Sequence, residues 1–158
     1  MTTNLFRAFA AAGALALVAG PALSHDEGAT AGGIHIEWIA ATPARPGETS
    51  RVTFTIENDG PDRAVLVGLL LPTGEPSQVR GFLGGGHSAA MAGVRVGAGD
   101  VYGLGDRTAW IDIGPLRNEL PDGATVPAVI RFDSFDVPVT LHVGGMPAAG
   151  TPSARASR

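Results

Sequence analysis

The sequence predicts an all-β fold, a single β-sandwich or small barrel. Three observations predict it. Beyond the first two dozen residues no segment keeps a 3.6-residue apolar period for as many as ten residues. Apolar side chains instead recur at every second position. Clusters of Gly, Pro, Asn and Asp punctuate the chain every ~8–12 residues, the spacing of short strands joined by turns.

The elements follow in order. Ile34, Ile36 and Trp38 alternate with His35, Glu37 and Ile39, a strand with one buried face. Two prolines in Thr42–Glu48 remove ladder donors and mark a loop. Val52, Phe54 and Ile56 alternate with polar neighbours as a second strand, closed by the turn cluster Asn58–Asp62. The apolar run Arg63–Leu71 suits a strand buried on both faces. Ser77–Leu83 reads as a short strand, and Gly84–Gly93 as the least regular stretch of the body. Strand fragments are expected at Val94–Val96, Val101–Leu104 and Thr108–Ile113. Gly114–Gly123 reads as a loop with one helical turn. Thr125–Phe132 and Phe135–Val143 pair as a hairpin around Asp133-Ser134. The expected core is Ile36, Trp38, Val52, Phe54, Ile56, Val65, Val67, Leu69, Trp110, Val129, Ile130, Phe132, Val139 and Leu141.

Composition narrows the function. The chain has 158 residues, no Cys and a net charge of -4. Its basic residues are all Arg and stand singly among acids, which argues against a nucleic-acid surface. Without Cys there is no disulfide, thiolate metal site or cysteine nucleophile. Met1–Arg7 carries a positive charge, and Ala8–Ala19 is an apolar run too short for the ~20 residues of a membrane span. Ala22-Leu23-Ser24 then offers small residues for cleavage. Residues 1–24 are therefore read as a secretory signal peptide, leaving no membrane span after cleavage. The expected organisation is a flexible mature N-terminus over 25–33, one β domain over 34–143, and a disordered tail over 144–158 rich in Gly, Pro, Ala and Ser. The compartment expected is the periplasm.

The order of several short motifs carries a resemblance. Glu37-Trp38-Ile39-Ala40-Ala41-Thr42-Pro43 precedes Thr53–Asn58 and Asp62–Gly68. Asp112–Leu116 and Leu120–Pro127 come later, and a strand at Val137–Val143 closes the domain. Over roughly residues 34–143 the chain resembles the PCu(A)C family of periplasmic copper chaperones. The resemblance implies a cupredoxin-like, immunoglobulin-like β-sandwich that binds Cu(I) through His and Met. It also implies delivery of copper to a membrane-bound oxidase, such as cytochrome oxidase, or to its assembly factor. In that family a His, often followed by a Met, comes soon after the strand matching Ser77–Leu83. Here Gln78–Leu83 holds neither. The family's middle Met falls at Met91, and its late His-x-Met falls at Ala109-Trp110-Ile111, which holds no ligand.

Other residues offer donors. Thioether sulfur is soft and selects Cu(I), and imidazole completes such a site without a thiol. His87 stands four residues before Met91 in the Gly-rich stretch, and this pair is the leading candidate. Cleavage after Ser24 would leave His25 with a free amine and an imidazole, two nitrogens suited to copper. His35, His142 and Met146 are secondary candidates. The functional expectation is a non-enzymatic copper-binding chaperone with a rearranged site. The alternative is a metal-free periplasmic β-sandwich serving as a binding or assembly module. A copper-brace enzyme built on His25 lacks a distinguished second His, and a CopC-type protein has a different segment order. Ser88 beside His87 gives a hydrolytic triad little support, since adjacent residues on a strand point apart and no nucleophile-elbow pattern surrounds it.

Overall fold

In the computed structural model, residues 28–145 are described, and among them there are strands and turns but no helix. The strands are β1 (Gly28–Ala31), β2 (Ile34–Ala41), β3 (Ser50–Asn58), β4 (Ala64–Leu70), β5 (Ser77–Gly84), β6 (His87–Ala90), β7 (Val94–Val96), β8 (Val101–Leu104), β9 (Ala109–Ile113), β10 (Thr125–Phe132) and β11 (Asp136–Val143). They join in the order β6-β5-β9-β3-β2-β11-β10-β4-β7. β1 adds to β2, and β8 adds to β3 beside β9. All pairings are antiparallel except β11 with β2. β4 contacts β5 and β9, and β7 contacts β3, so the continuous sheet folds over on itself as a sandwich.

β3 is the spine. Its residues Ser50, Val52, Phe54, Ile56 and Asn58 are buried and alternate with half-buried Arg51, Thr53, Thr55 and Glu57. That is the period-two pattern of a strand with one apolar face. Its two buried polar residues are hydrogen-bonded, as buried polar groups must be. Ser50 Oγ donates to the Thr42 carbonyl at 2.7 Å. Asn58 Nδ2 donates to the carbonyls of Asp62 and Val96 at 2.9 and 3.1 Å.

Several expectations are corrected. The stretch 25–33 was expected to be flexible, yet Gly28–Ala31 pairs with β2 in register from Gly28↔Glu37 to Ala31↔Ile34. Gly32 and Gly33 make the turn with φ of 60° and 78°, a region open to glycine. His87–Ala90, expected to be irregular, is β6. β4 is buried on one face only: Ala64, Leu66 and Leu69 are inside, whereas Val67 and Leu70 are exposed at 39% and 45%. The core therefore contains Leu66 rather than Val65 or Val67. Trp38 and Val129 are half-buried rather than core. Trp38 stands at φ 57° where β2 bulges between Glu37 and Ala40, and the bulge turns its ring out of the buried phase. β9 is buried more than its alternation predicts, because Arg51 lies over the Trp110 ring at 4.2 Å. The loop after β9 has no helical turn; it is tied down by a bridge between Ala44 and Leu120.

That loop is also held by Glu75, whose side chain is buried on the turn between β4 and β5. The Thr73 hydroxyl donates to its carboxylate, and the Arg117 backbone N–H donates to Oε1 at 3.3 Å. The Arg117 guanidinium donates to the Thr73 carbonyl at 3.3 Å. Burial pushes the Glu75 carboxyl up, but the hydrogen bonds from Thr73 and the backbone, with the Arg117 charge, outweigh it and hold the group below its ordinary 4.5.

Candidate metal centre

The leading pair sits on the β5–β6 hairpin. Gly84, Gly85 and Gly86 form its turn, with φ of 88°, 59° and 80°. β6 then returns with His87 opposite Gly84, Ser88 opposite Phe82, Ala89 opposite Gly81 and Ala90 opposite Arg80. Met91 continues the line, its N–H donating to the Val79 carbonyl at 2.8 Å. His87, Ala89 and Met91 therefore share one face of the strand.

Along a strand, four residues span about 13 Å, so His87 and Met91 are not neighbours through the backbone. The side chains shorten that gap from one end. The Met91 sulfur folds back over Gly81, so closely that a Cβ on Gly81 would collide with it. Gly81 lies opposite Ala89, two positions nearer the turn than Val79. The His87 ring lies near Gly85, with Cδ2 at 3.6 Å from where a Cβ on Gly85 would stand. His87 is exposed, and Met91 is 38% exposed. The pair thus offers one imidazole and one thioether, both exposed, at the rim of a face whose Val79, Gly81, Ala109 and Ile111 are buried.

The three stretches singled out by the family resemblance converge here. β5 lies between β6 and β9, with Val79↔Ile111, Arg80↔Trp110 and Gly81↔Ala109 in register. Met91 is the one donor of that set, and it rests on Gly81 where β5 faces Ala109. The opposite face of the same strands carries a polar clamp. Trp110 Nε1 donates to Asp112 Oδ1 at 2.9 Å. Arg80 Nε lies 3.6 Å from Asp112 Oδ2, and the Arg80 guanidinium donates to Ser88 Oγ at 3.1 and 3.2 Å. Arg80 thereby ties β6 to β9 across β5.

The remaining candidates lie elsewhere. His35, on β2, is hydrogen-bonded through Nδ1 to the Thr30 hydroxyl at 3.0 Å, and its Nε2 is 3.4 Å from Asp59 Oδ2. His142, on β11, faces Ala40 and Thr125. Strands β5, β9 and β3 separate β6 from β2, so neither histidine joins the hairpin through the sheet. His25 and Met146 lie outside the described residues. Among the described residues no three His, Cys, Asp or Glu side chains group as a metal site. The sequence reading gave Gly81, Arg80 and Asp112 no role of their own, and weighed Ser88 only as a hydrolytic nucleophile. A glycine inside a strand signals close approach of another group, and Gly81 receives the Met91 sulfur.

No protein-family model matches the chain, and no curated protein matches it. Solved structures do. The copper-bound PCuAC domain from PmoF2 shares 14% identity and a TM-score of 0.64 over 74% of this chain and 97% of that one. The apo PmoF2 PCuAC domain shares 14% identity and a TM-score of 0.63 over 77% of this chain and 99% of that one. The apo PCuAC domain from PmoF1 shares 15% identity and a TM-score of 0.63 over 76% of this chain and 99% of that one. With its strand order and buried alternation, the chain has the fold of the PCuAC domains, a cupredoxin-like β-sandwich.

Proposed function

We propose that this chain is a periplasmic, non-enzymatic copper-binding protein of the chaperone type. It carries Cu(I) on the β5–β6 hairpin and delivers it to a cuproenzyme such as cytochrome oxidase, or to an assembly factor of one. The observation that carries the reading is the Met91 sulfur seated on Gly81, with His87 on the same face of β6. A soft thioether with an imidazole suits Cu(I), and the open edge leaves room for a further ligand. Copper here is cargo, so the partial exposure of both donors favours release as well as capture. The likeness to the copper-bound PmoF2 domain supports the reading at the level of fold. The terminal amine and imidazole of His25 would add nitrogen donors if cleavage follows Ser24.

A Cu(I) titration of residues 25–158 against a chromogenic chelator tests it, with His87→Ala and Met91→Leu in parallel. The expected result is one Cu(I) bound, lost in both variants. A wild type unable to compete with the chelator overturns the copper reading. A second reading is then favoured, a metal-free binding or assembly module. It draws on Gly81, Ala109, Trp110 and Ile111, which are buried where the family resemblance puts ligands. Periplasmic location is checked by fractionating cells that express the full chain; a wholly cytoplasmic product would refute it.

A further inference from the structure

The sheet begins at β6 and ends at β7, and the chain passes from one to the other through Met91, Ala92 and Gly93. Among the described strands β6 pairs with β5 alone. Its other edge therefore presents unpaired backbone N–H and C=O groups. Of the devices that blunt such an edge, β6 has a short length and a bulge in its pairing with β5, but neither Lys nor Pro. Beside this edge stand Phe82, Leu83 and Met91, exposed at 37%, 69% and 38%. Next to Met91 opens a pocket of about 440 Å³ that Val65, Gly93, Arg95 and Tyr102 also line.

Charge gives this region a sign. The chain carries a net -4, yet no Asp or Glu occurs between Glu75 and Asp100. Arg80 and Arg95 both fall within that stretch. Arg80 is paired with Asp112, whereas Arg95 is exposed and takes part in none of the ion pairs among the described residues. Arg95, exposed beside Met91 on a stretch without acids, is complementary to an acidic partner.

We propose that the free edge of β6 docks an extended, acidic, methionine-bearing segment of the copper-accepting protein. The segment adds as a strand beside His87–Ala90. This rests on the Cu(I) reading above. Strand addition takes its affinity from main-chain hydrogen bonds and its selectivity from alternate side chains. Laterally paired residues place their Cβ atoms about 4.5–5.5 Å apart on the same face. A methionine on the added strand therefore reaches the face that His87 and Met91 share. Copper passes by ligand exchange. A bond from Cu(I) to this chain breaks as a bond to the partner's thioether forms. The ion stays Cu(I), and no electron or proton moves. Acidic residues on the segment face Arg95.

The test uses copper-free chain, residues 25–158, and a short synthetic peptide of alternating Met and Thr flanked by Asp. Controls carry Lys for Asp, or Leu for Met. Amide spectra of the isotope-labelled chain report where the peptide binds, and the chelator titration reports separately whether the chain takes Cu(I). The acidic peptide is expected to shift the amides of Ser88–Met91 and to withdraw Cu(I) from the loaded chain. The Leu peptide is expected to bind alike but leave Cu(I) in place. The Lys peptide, and Arg95→Glu with the acidic peptide, should bind about tenfold more weakly at about 50 mM salt, with the gap narrowing at about 0.5 M. A chain that takes Cu(I) but shows no shift at β6 overturns the docking edge and leaves the copper reading standing. Peptide binding at β6 in a chain that takes no Cu(I) overturns the copper reading, and the proposal with it. Concentration-dependent pairing of two copies through β6 overturns the proposal in favour of a self-association edge.

Discussion

Gly81→Ala separates the candidate metal centre from the fold. A Cβ at this position would collide with the Met91 sulfur, with Cγ also within 3.3 Å. What it meets is the far part of a flexible side chain, with no backbone atom among its closest neighbours. The sulfur must retreat by about 1 Å or more to regain ordinary van der Waals separation. Shifting Met91 off its preferred rotamer costs about 0.5–1.5 kcal/mol. Replacing a strand glycine by alanine returns about 0.4–1 kcal/mol by restricting the unfolded chain. The two nearly cancel, so stability should change by no more than about 1 kcal/mol, a melting shift within about 5 °C for a domain of this size. Cu(I) binding should respond differently, because a ligand atom has to be held within about 0.5 Å of its productive position. The expected result is a loss of about tenfold or more in Cu(I) affinity, about 1.4 kcal/mol, read by the chelator titration alongside thermal melts. If Gly81→Ala binds Cu(I) as wild type does while Met91→Leu does not, the sulfur does not act from its seat on Gly81. If both variants bind normally, Met91 is no ligand.

Three further outcomes are expected. Gly93→Ala should cost about 1–3 kcal/mol, because its Cβ would stand 2.6 Å from the Leu66 carbonyl oxygen and 3.0 Å from Val65 Cγ1, and backbone gives way less readily than a methionine; an unchanged melting temperature would contradict this. Ile56→Ala, at a fully buried position of β3, should cost about 2–5 kcal/mol in urea unfolding, and a loss below 1 kcal/mol would show that β3 is not the centre of the core. Glu75→Gln weakens two hydrogen bonds to a buried carboxylate and should cost about 1–3 kcal/mol at neutral pH. Because the folded Glu75 lies below its ordinary 4.5, its contribution is complete above that value and fades as pH falls through the folded one. The gap in urea midpoint between wild type and Glu75→Gln should therefore shrink on acidification; a gap that stays constant down to pH ~2 would remove Glu75 from the acid response.

The fold was legible wherever a strand buries one face. β3 announces itself through Val52, Phe54 and Ile56, and β11 through Val137, Val139 and Leu141, all of them buried. β1 and β6 were not legible, because Gly28–Ala31 and His87–Ala90 contain no large apolar residue and so no period to read. Both exist because a neighbour supplies the ladder: β2 for β1, β5 for β6. β4 failed in the opposite way. Its run of Val and Leu reads as buried on both faces, but composition cannot tell whether a second layer covers Val67 and Leu70. Trp38 was misplaced for a local reason, since a bulge shifts the alternation by which it had been assigned inward.

The candidate centre was half legible. His87 and Met91 could be named from chemistry alone, because they are the imidazole and thioether nearest each other in the body of the chain. Their shared face could not be named, because it depends on β6 being a strand. Treated as a loop, Gly84–Gly93 leaves the two donors free to meet in any geometry. As a strand, it holds them about four residues of extended chain apart, and the Met91 side chain shortens that gap as far as Gly81, opposite Ala89. Gly81 leaves the room for the Met91 sulfur: it stands six residues before His87 and ten before Met91, and the hairpin register Gly81↔Ala89 brings it beside β6. Gly81 and Ala109 face each other across β5 and β9, and the space over Gly81 is what the Met91 sulfur occupies. Under the proposed copper reading the seat on Gly81 sets where the thioether stands, which is why Gly81→Ala probes the centre while leaving both donors in place.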